Sequence, residues 1–94
     1  MSVRPRTVRG VLLAAARLIE RKGWCQGSYK KSGRHCAIGA IGEVMEWRRE
    51  GLQARALDKL TTVIGEISVA AWNDRPGRRR PEVIAALRRA ATAR

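Results

Sequence analysis

GWCQGSYKKSGRHCAIGAIG, residues 23–42, holds both cysteines, the only histidine, the only tyrosine and five of the nine glycines of a 94-residue chain. What these residues do determines what kind of domain the chain forms. If Cys25, His35 and Cys36 hold a metal, the stretch is a site in its own right. If they do not, it is a loop packed against helices. Structural zinc wants four ligands, usually in paired Cys/His clusters. Here there are three, spaced Cys-x9-His-Cys, with no second histidine in the chain. Neighbouring His35 and Cys36 point in different directions in most backbone conformations, and nothing marks a carboxylate as fourth ligand. The stretch therefore divides in two. Residues 24–35 form one structured loop, with room for a short hairpin, in which Gly27, Ser28, Ser32 and Gly33 are turn formers. Lys30, Lys31 and Arg34 keep its tip wet. From Cys36 the apolar spacing is helical.

A thiol enzyme is the other chemistry these residues suggest. Cys36 at a helix N-terminus would favour a thiolate, and Gln26 could serve as an oxyanion donor. A cysteine nucleophile also needs a base within reach, and the only histidine is its neighbour. Asn73 and Asp74 could orient a base but not replace it. Cysteine is among the most commonly buried residues, so Cys36 reads as the start of a core-facing stripe. No catalytic residue, metal or cofactor is expected.

Working outward, Thr7 is an N-cap candidate. Val8, Val11, Leu12, Ala15 and Ile19 then repeat at helical spacing until Gly23. A second helix runs from about Cys36 to Arg49, with Ala37, Ile38, Ile41, Val44 and Met45 on its apolar face and Gly51 at its end. Gly39 and Gly42 inside it are costly, which suggests a reason such as close approach of another helix. A third helix runs from about Leu52 to Ile64, where Gly65 can break it. ISVAAWND (67–74) also permits a short strand, but helix is favoured. Arg75-Pro76-Gly77-Arg78 has the form of a type II turn, and a last helix runs from about Pro81 to Ala91. The expectation is an all-α bundle of about four helices over residues 7–94, preceded by a flexible basic arm, residues 1–6. Residues 11–19 (VLLAAARLI) follow basic residues as a signal segment would, but Arg17 interrupts the run. No stretch approaches the ~18–20 apolar residues that cross a bilayer. A cytoplasmic protein with reduced thiols and no membrane partner is expected.

Charge is the strongest global feature: 20 Lys+Arg against 8 Asp+Glu, net +12. Residues 43–66 are nearly balanced, so the excess lies in the two ends of the chain. A field of this size favours anionic partners, and arginine forks onto phosphate. The candidate contacts are Arg4, Arg6, Lys30, Lys31, Arg34, Arg75, Arg78, Arg79 and Arg80. Nucleic-acid backbone is the expected partner; an acidic protein would fit the same charges. Trp24 and Tyr29 lie near Lys30, Lys31 and Arg34, so base stacking stays open, although Trp24 and Trp72 read as core and Trp47 as its rim.

GWCQG (23–27), G..HCAIGAI (33–41) and AAWNDRPGR (70–78) together resemble a family of small uncharacterised proteins from actinobacteria and their phages. The resemblance covers about residues 8–92. It implies a compact helical fold and supplies no catalytic residues. It also implies a Thr after Pro-Gly-Arg with Glu three residues later, a capping box. Here Arg79 stands at the Thr position while Glu82 remains, which suggests that Arg78-Arg79-Arg80 serves binding.

Overall fold

The computed structural model describes residues 5–93. The first helix, α1 (Val8–Lys22), begins where expected: the Thr7 hydroxyl accepts from the Gly10 N–H at 2.9 Å. It buries Val11, Leu12, Ala15, Ala16, Leu18 and Ile19 and ends at Gly23, whose φ of 101° suits glycine. Four further helices follow among the described residues: α2 (Ala37–Val44), α3 (Glu50–Ile64), α4 (Val69–Asp74) and α5 (Arg80–Thr92). α1 lies at the centre, packed on α5, α2 and α3. Leu12, Ile19, Ile41, Leu60, Val83 and Leu87 are fully buried between them. Small residues such as Ala15, Ala40, Ala56 and Ala86, all at 0% exposure, let these helices close on one another without aromatic filler. The architecture is the expected all-α bundle.

The loop before α2 carries a hairpin, β1 (Lys30–Lys31) antiparallel to β2 (Arg34–His35), with Lys30 opposite His35. Ser32 and Gly33 both have positive φ, the pattern of a two-residue hairpin turn whose twist matches the strands. The Arg75–Arg78 turn is also as expected: Arg78 N–H donates to the Arg75 carbonyl at 3.0 Å and Gly77 has φ 88°.

Three local expectations are corrected. The second helix stops at Val44, not Arg49, because Glu46, Trp47 and Arg49 adopt left-handed φ of 54–56°. Each such residue costs roughly 1–2 kcal/mol. The turn folds Trp47 back: its N–H donates to the Gly42 carbonyl at 2.8 Å and its ring lies over Gly42. Second, Gly39 and Gly42 are not faced by a helix. A Cβ on Gly39 would stand 1.9 Å from the Tyr29 carbonyl oxygen, and one on Gly42 would stand 2.5 Å from the Trp47 ring. Third, Gly51 lies in the first turn of α3 rather than ending α2. Within 67–74 the favoured helix forms as α4, separate from α3. Gly65 ends α3 in the left-handed region, and the Ser68 hydroxyl caps α4 by accepting from Ala71 N–H at 3.0 Å.

Candidate functional site

The loop of residues 24–36 is tied down from the end of α4. Asn73 is completely buried. Its Oδ1 accepts from Trp24 Nε1 at 2.7 Å and from Ala37 N–H at 3.0 Å, and its Nδ2 donates to the Cys25 carbonyl at 3.2 Å and to Asp74 Oδ1 at 2.8 Å. Both lone pairs and both hydrogens of the amide are thus used. Ala37 N–H is one of the donors that α2 cannot satisfy within itself. Asp74 Oδ1 also accepts from Gly27 N–H at 3.0 Å, and Gln26 Nε2 donates to the carbonyls of Asn73 and Arg75 at 3.0 and 3.1 Å. Trp-Asn-Asp therefore clamps Gly-Trp-Cys-Gln-Gly. A family model described as "Family of unknown function (DUF6197)" matches residues 3–93, which span both halves of the clamp. The chain belongs to the DUF6197 family. No curated protein and no solved structure matches it.

Within this DUF6197 frame the thiols are structural. Cys36 caps α2, its Sγ accepting from Gly39 N–H at 3.2 Å, and the Cys25 thiol donates to the carbonyls of Ser28 and Arg34 at 3.4 and 3.5 Å. Burial pushes both thiols up; for Cys36 it outweighs the Gly39 and Ile38 N–H groups, and for Cys25 it outweighs nearby Arg34. A raised thiol holds less of the reactive thiolate. A cleft of about 410 Å³, lined by Gly27, Ser28, Tyr29, Cys36, Ala70 and Asp74, reaches the Cys36 side chain. His35 is 3% exposed, and neither ring nitrogen has a hydrogen-bond partner in the protein. Glu43 Oε1 lies 3.7 Å from its Nε2. Burial pulls the imidazole down from its ordinary value, partly opposed by Glu43 and reinforced by Lys30 and Lys22. Among the described residues no group of three His, Cys, Asp or Glu side chains could hold a metal ion.

The fold sorts the candidate cations. Arg75 forms a two-pronged pair with Glu66, and their mutual hydrogen bonds hold the Glu66 carboxyl below its usual range. Arg78 is only 14% exposed: its guanidinium lies 4.2 Å over the Trp72 ring, its Nε donates to the Trp72 carbonyl at 2.9 Å, and Glu82 is 3.6 Å away. These two arginines hold the turn. Arg6, Lys30, Lys31, Arg34, Arg79 and Arg80 are exposed, with no acidic partner among the described residues. The Arg34 stem rests on Gly23, and Arg34 and Lys31 share a shallow depression with Gln26. Gln26, which lines that depression, is the residue that reaches the Arg75 carbonyl. Arg4 lies outside the described residues.

At Arg79, Glu82 Oε1 accepts the backbone N–H at 2.7 Å. The reciprocal bond of a capping box needs a side-chain acceptor, which a guanidinium lacks. Arg79 is thus anchored through its main chain while its side chain faces solvent.

One pair of residues escaped the sequence reading. Tyr29 and Trp47 are 58% and 46% exposed, and their ring centroids lie 5.6 Å apart at 45°. Helical spacing puts Trp47 late in a helix, away from the loop. The available signal was the repeated pattern aromatic-basic-basic, Tyr29-Lys30-Lys31 and Trp47-Arg48-Arg49. Trp72 is in the core and Trp24 packs beside it, as expected.

Proposed function

We propose that this protein is a small non-enzymatic binding protein that contacts nucleic-acid backbone through exposed basic side chains. The observation that carries the reading is the sorting of its arginines. Arg75 and Arg78 are engaged by Glu66, Trp72 and Glu82, whereas Lys30, Lys31, Arg34, Arg79, Arg80 and Arg6 stand exposed without such partners among the described residues. Unpaired cations at net +12 repel one another unless an anion neutralises them. Phosphate contacts of this kind carry little sequence information, so weak sequence preference is expected. We infer a cytoplasmic setting, in an actinobacterium or a phage-infected one, from the motif resemblance.

The test is a salt series of binding by fluorescence anisotropy with a labelled duplex. Four to six phosphate contacts give a log–log slope of about −4 to −5 at ~0.9 per contact. A flat salt response, or no binding to any DNA or RNA at low salt, refutes the reading. Retention of one acidic protein from a lysate after nuclease treatment would assign the same cations to a protein partner instead.

A further inference from the structure

The chain has four aromatic residues, and two of them, Tyr29 and Trp47, are on the surface in contact with each other. A single exposed aromatic needs no explanation. This pair does, because the fold goes to some cost to hold it there. Trp47 sits in a left-handed turn, with its ring over Gly42 where no side chain is tolerated. The Tyr29 carbonyl presses on Gly39 and accepts from Cys36 N–H at 3.1 Å. The Tyr29 main chain and the Trp47 ring therefore both rest on the same short helix, α2, at glycines three residues apart.

Each ring is followed in sequence by two cations, Lys30-Lys31 and Arg48-Arg49, and all four are exposed. Glu46 and Glu50 border the second pair in sequence, and Asp74 lines the cleft beside Tyr29. Aromatic faces beside a basic track are what an unpaired nucleic-acid strand requires: bases stack on the rings while phosphates meet the cations. A duplex hides its base faces and gains only the electrostatic part.

We propose that Tyr29 and Trp47 form a stacking platform for single-stranded nucleic acid, with Lys30, Lys31, Arg48 and Arg49 holding the flanking phosphates. The inference rests on the backbone-binding reading and narrows it to unpaired strands. The rings are set before binding, so little side-chain freedom is lost on contact.

The experiment compares labelled 15-mers of one mixed sequence as single-stranded DNA, single-stranded RNA and duplex DNA, by anisotropy at low salt. Single strands are expected to bind more tightly than the duplex, and the tighter of the DNA and RNA arms names the sugar. Tyr29→Ala should weaken single-strand binding about 5- to 150-fold and abolish the preference over duplex, whereas Tyr29→Phe should keep it. Should Tyr29→Ala misfold by circular dichroism, tryptophan emission supplies the second measurement: oligothymidine quenching of the wild type should be lost in Trp47→Phe, and absence of quenching overturns the platform. Equal binding of duplex and single strands, unchanged by Tyr29→Ala, overturns the platform and leaves backbone binding standing. No binding to any of the three overturns both.

Discussion

Replacing Asn73 with alanine removes one small side chain and strands partners far from it in sequence. The Ala37 N–H and the Cys25 carbonyl lose a buried bond, and the Trp24 indole N–H loses a partly buried one. A buried polar group left unpaired costs about 1–3 kcal/mol. With Trp24 able to recover some water, the sum is about 3–5 kcal/mol. A chain of this length is stable by only about 5–14 kcal/mol, at 0.05–0.15 per residue. Asn73→Ala should therefore remove at least about a fifth of the total, and more the nearer the chain lies to the lower bound. Urea denaturation measures the loss directly, and at about 4–8 °C per kcal/mol the melting temperature should fall by well over 10 °C. Hydrogen exchange should locate the damage in residues 24–37 first, because that segment hangs on the amide. Asn73→Asp is the informative partner. It keeps both acceptor bonds and loses the donor to Cys25, and it sets a carboxylate against Asp74 Oδ1, now 2.8 Å from Nδ2. A fully buried carboxylate facing Asp74 and the Cys25 carbonyl is costly, so this variant should be at least as destabilising as alanine at pH 7. A loss under about 1 kcal/mol for Asn73→Ala would refute the clamp.

Two glycine substitutions should move in opposite directions under the same denaturation assay. Gly39→Ala drives a Cβ to 1.9 Å from a main-chain oxygen and should cost more than about 3 kcal/mol, while Gly51→Ala, in the open first turn of α3, should stabilise by about 0.4–1 kcal/mol. His35 should make the fold acid-sensitive. Burial depresses its folded pKa below the ordinary 6.5, so near pH 6 the unfolded chain binds more protons. The stability it contributes is complete above pH 6.5 and is lost as the pH falls toward the depressed value. Denaturation midpoints from pH 7.5 downward should show that slope in the wild type and a reduced one in His35→Gln; equal slopes would refute it.

Much of the bundle was legible because its determinants are local. Thr7 and Gly23 bracket α1 with a cap and a stop, and Pro76-Gly77 dictates its own turn. The end of α2 was not legible. Val44 and Met45 continue the apolar period, and no glycine or proline interrupts residues 43–50. What ends the helix is the fit of the Trp47 ring to the bare backbone at Gly42, a contact that spacing does not encode. In the sequence Asn73 shows only as a group able to orient a base, because its partners lie 36–49 residues away. The arginines of residues 75–80 look alike in a charge count. Glu66 and Trp72 separate them by engaging Arg75 and Arg78 and leaving Arg79 and Arg80 exposed. The helical class needed only composition and period, whereas the aromatic pair needed the fold to bring residues 29 and 47 together.

The clamp also reaches the loop in a particular way. It grips main-chain atoms at Cys25, Gly27 and Ala37, and the returning strand is held by main-chain bonds from Cys25, His35 and Cys36 to His35, Gly23 and Tyr29. The side chains of Lys30, Lys31 and Ser32 take no part in these bonds. The tip is thus an interchangeable head on a fixed mount. The charge at Lys30 and Lys31 can be rewritten at little cost to folding as long as the Ser32-Gly33 turn is kept, so one mount can carry tips of different chemistry.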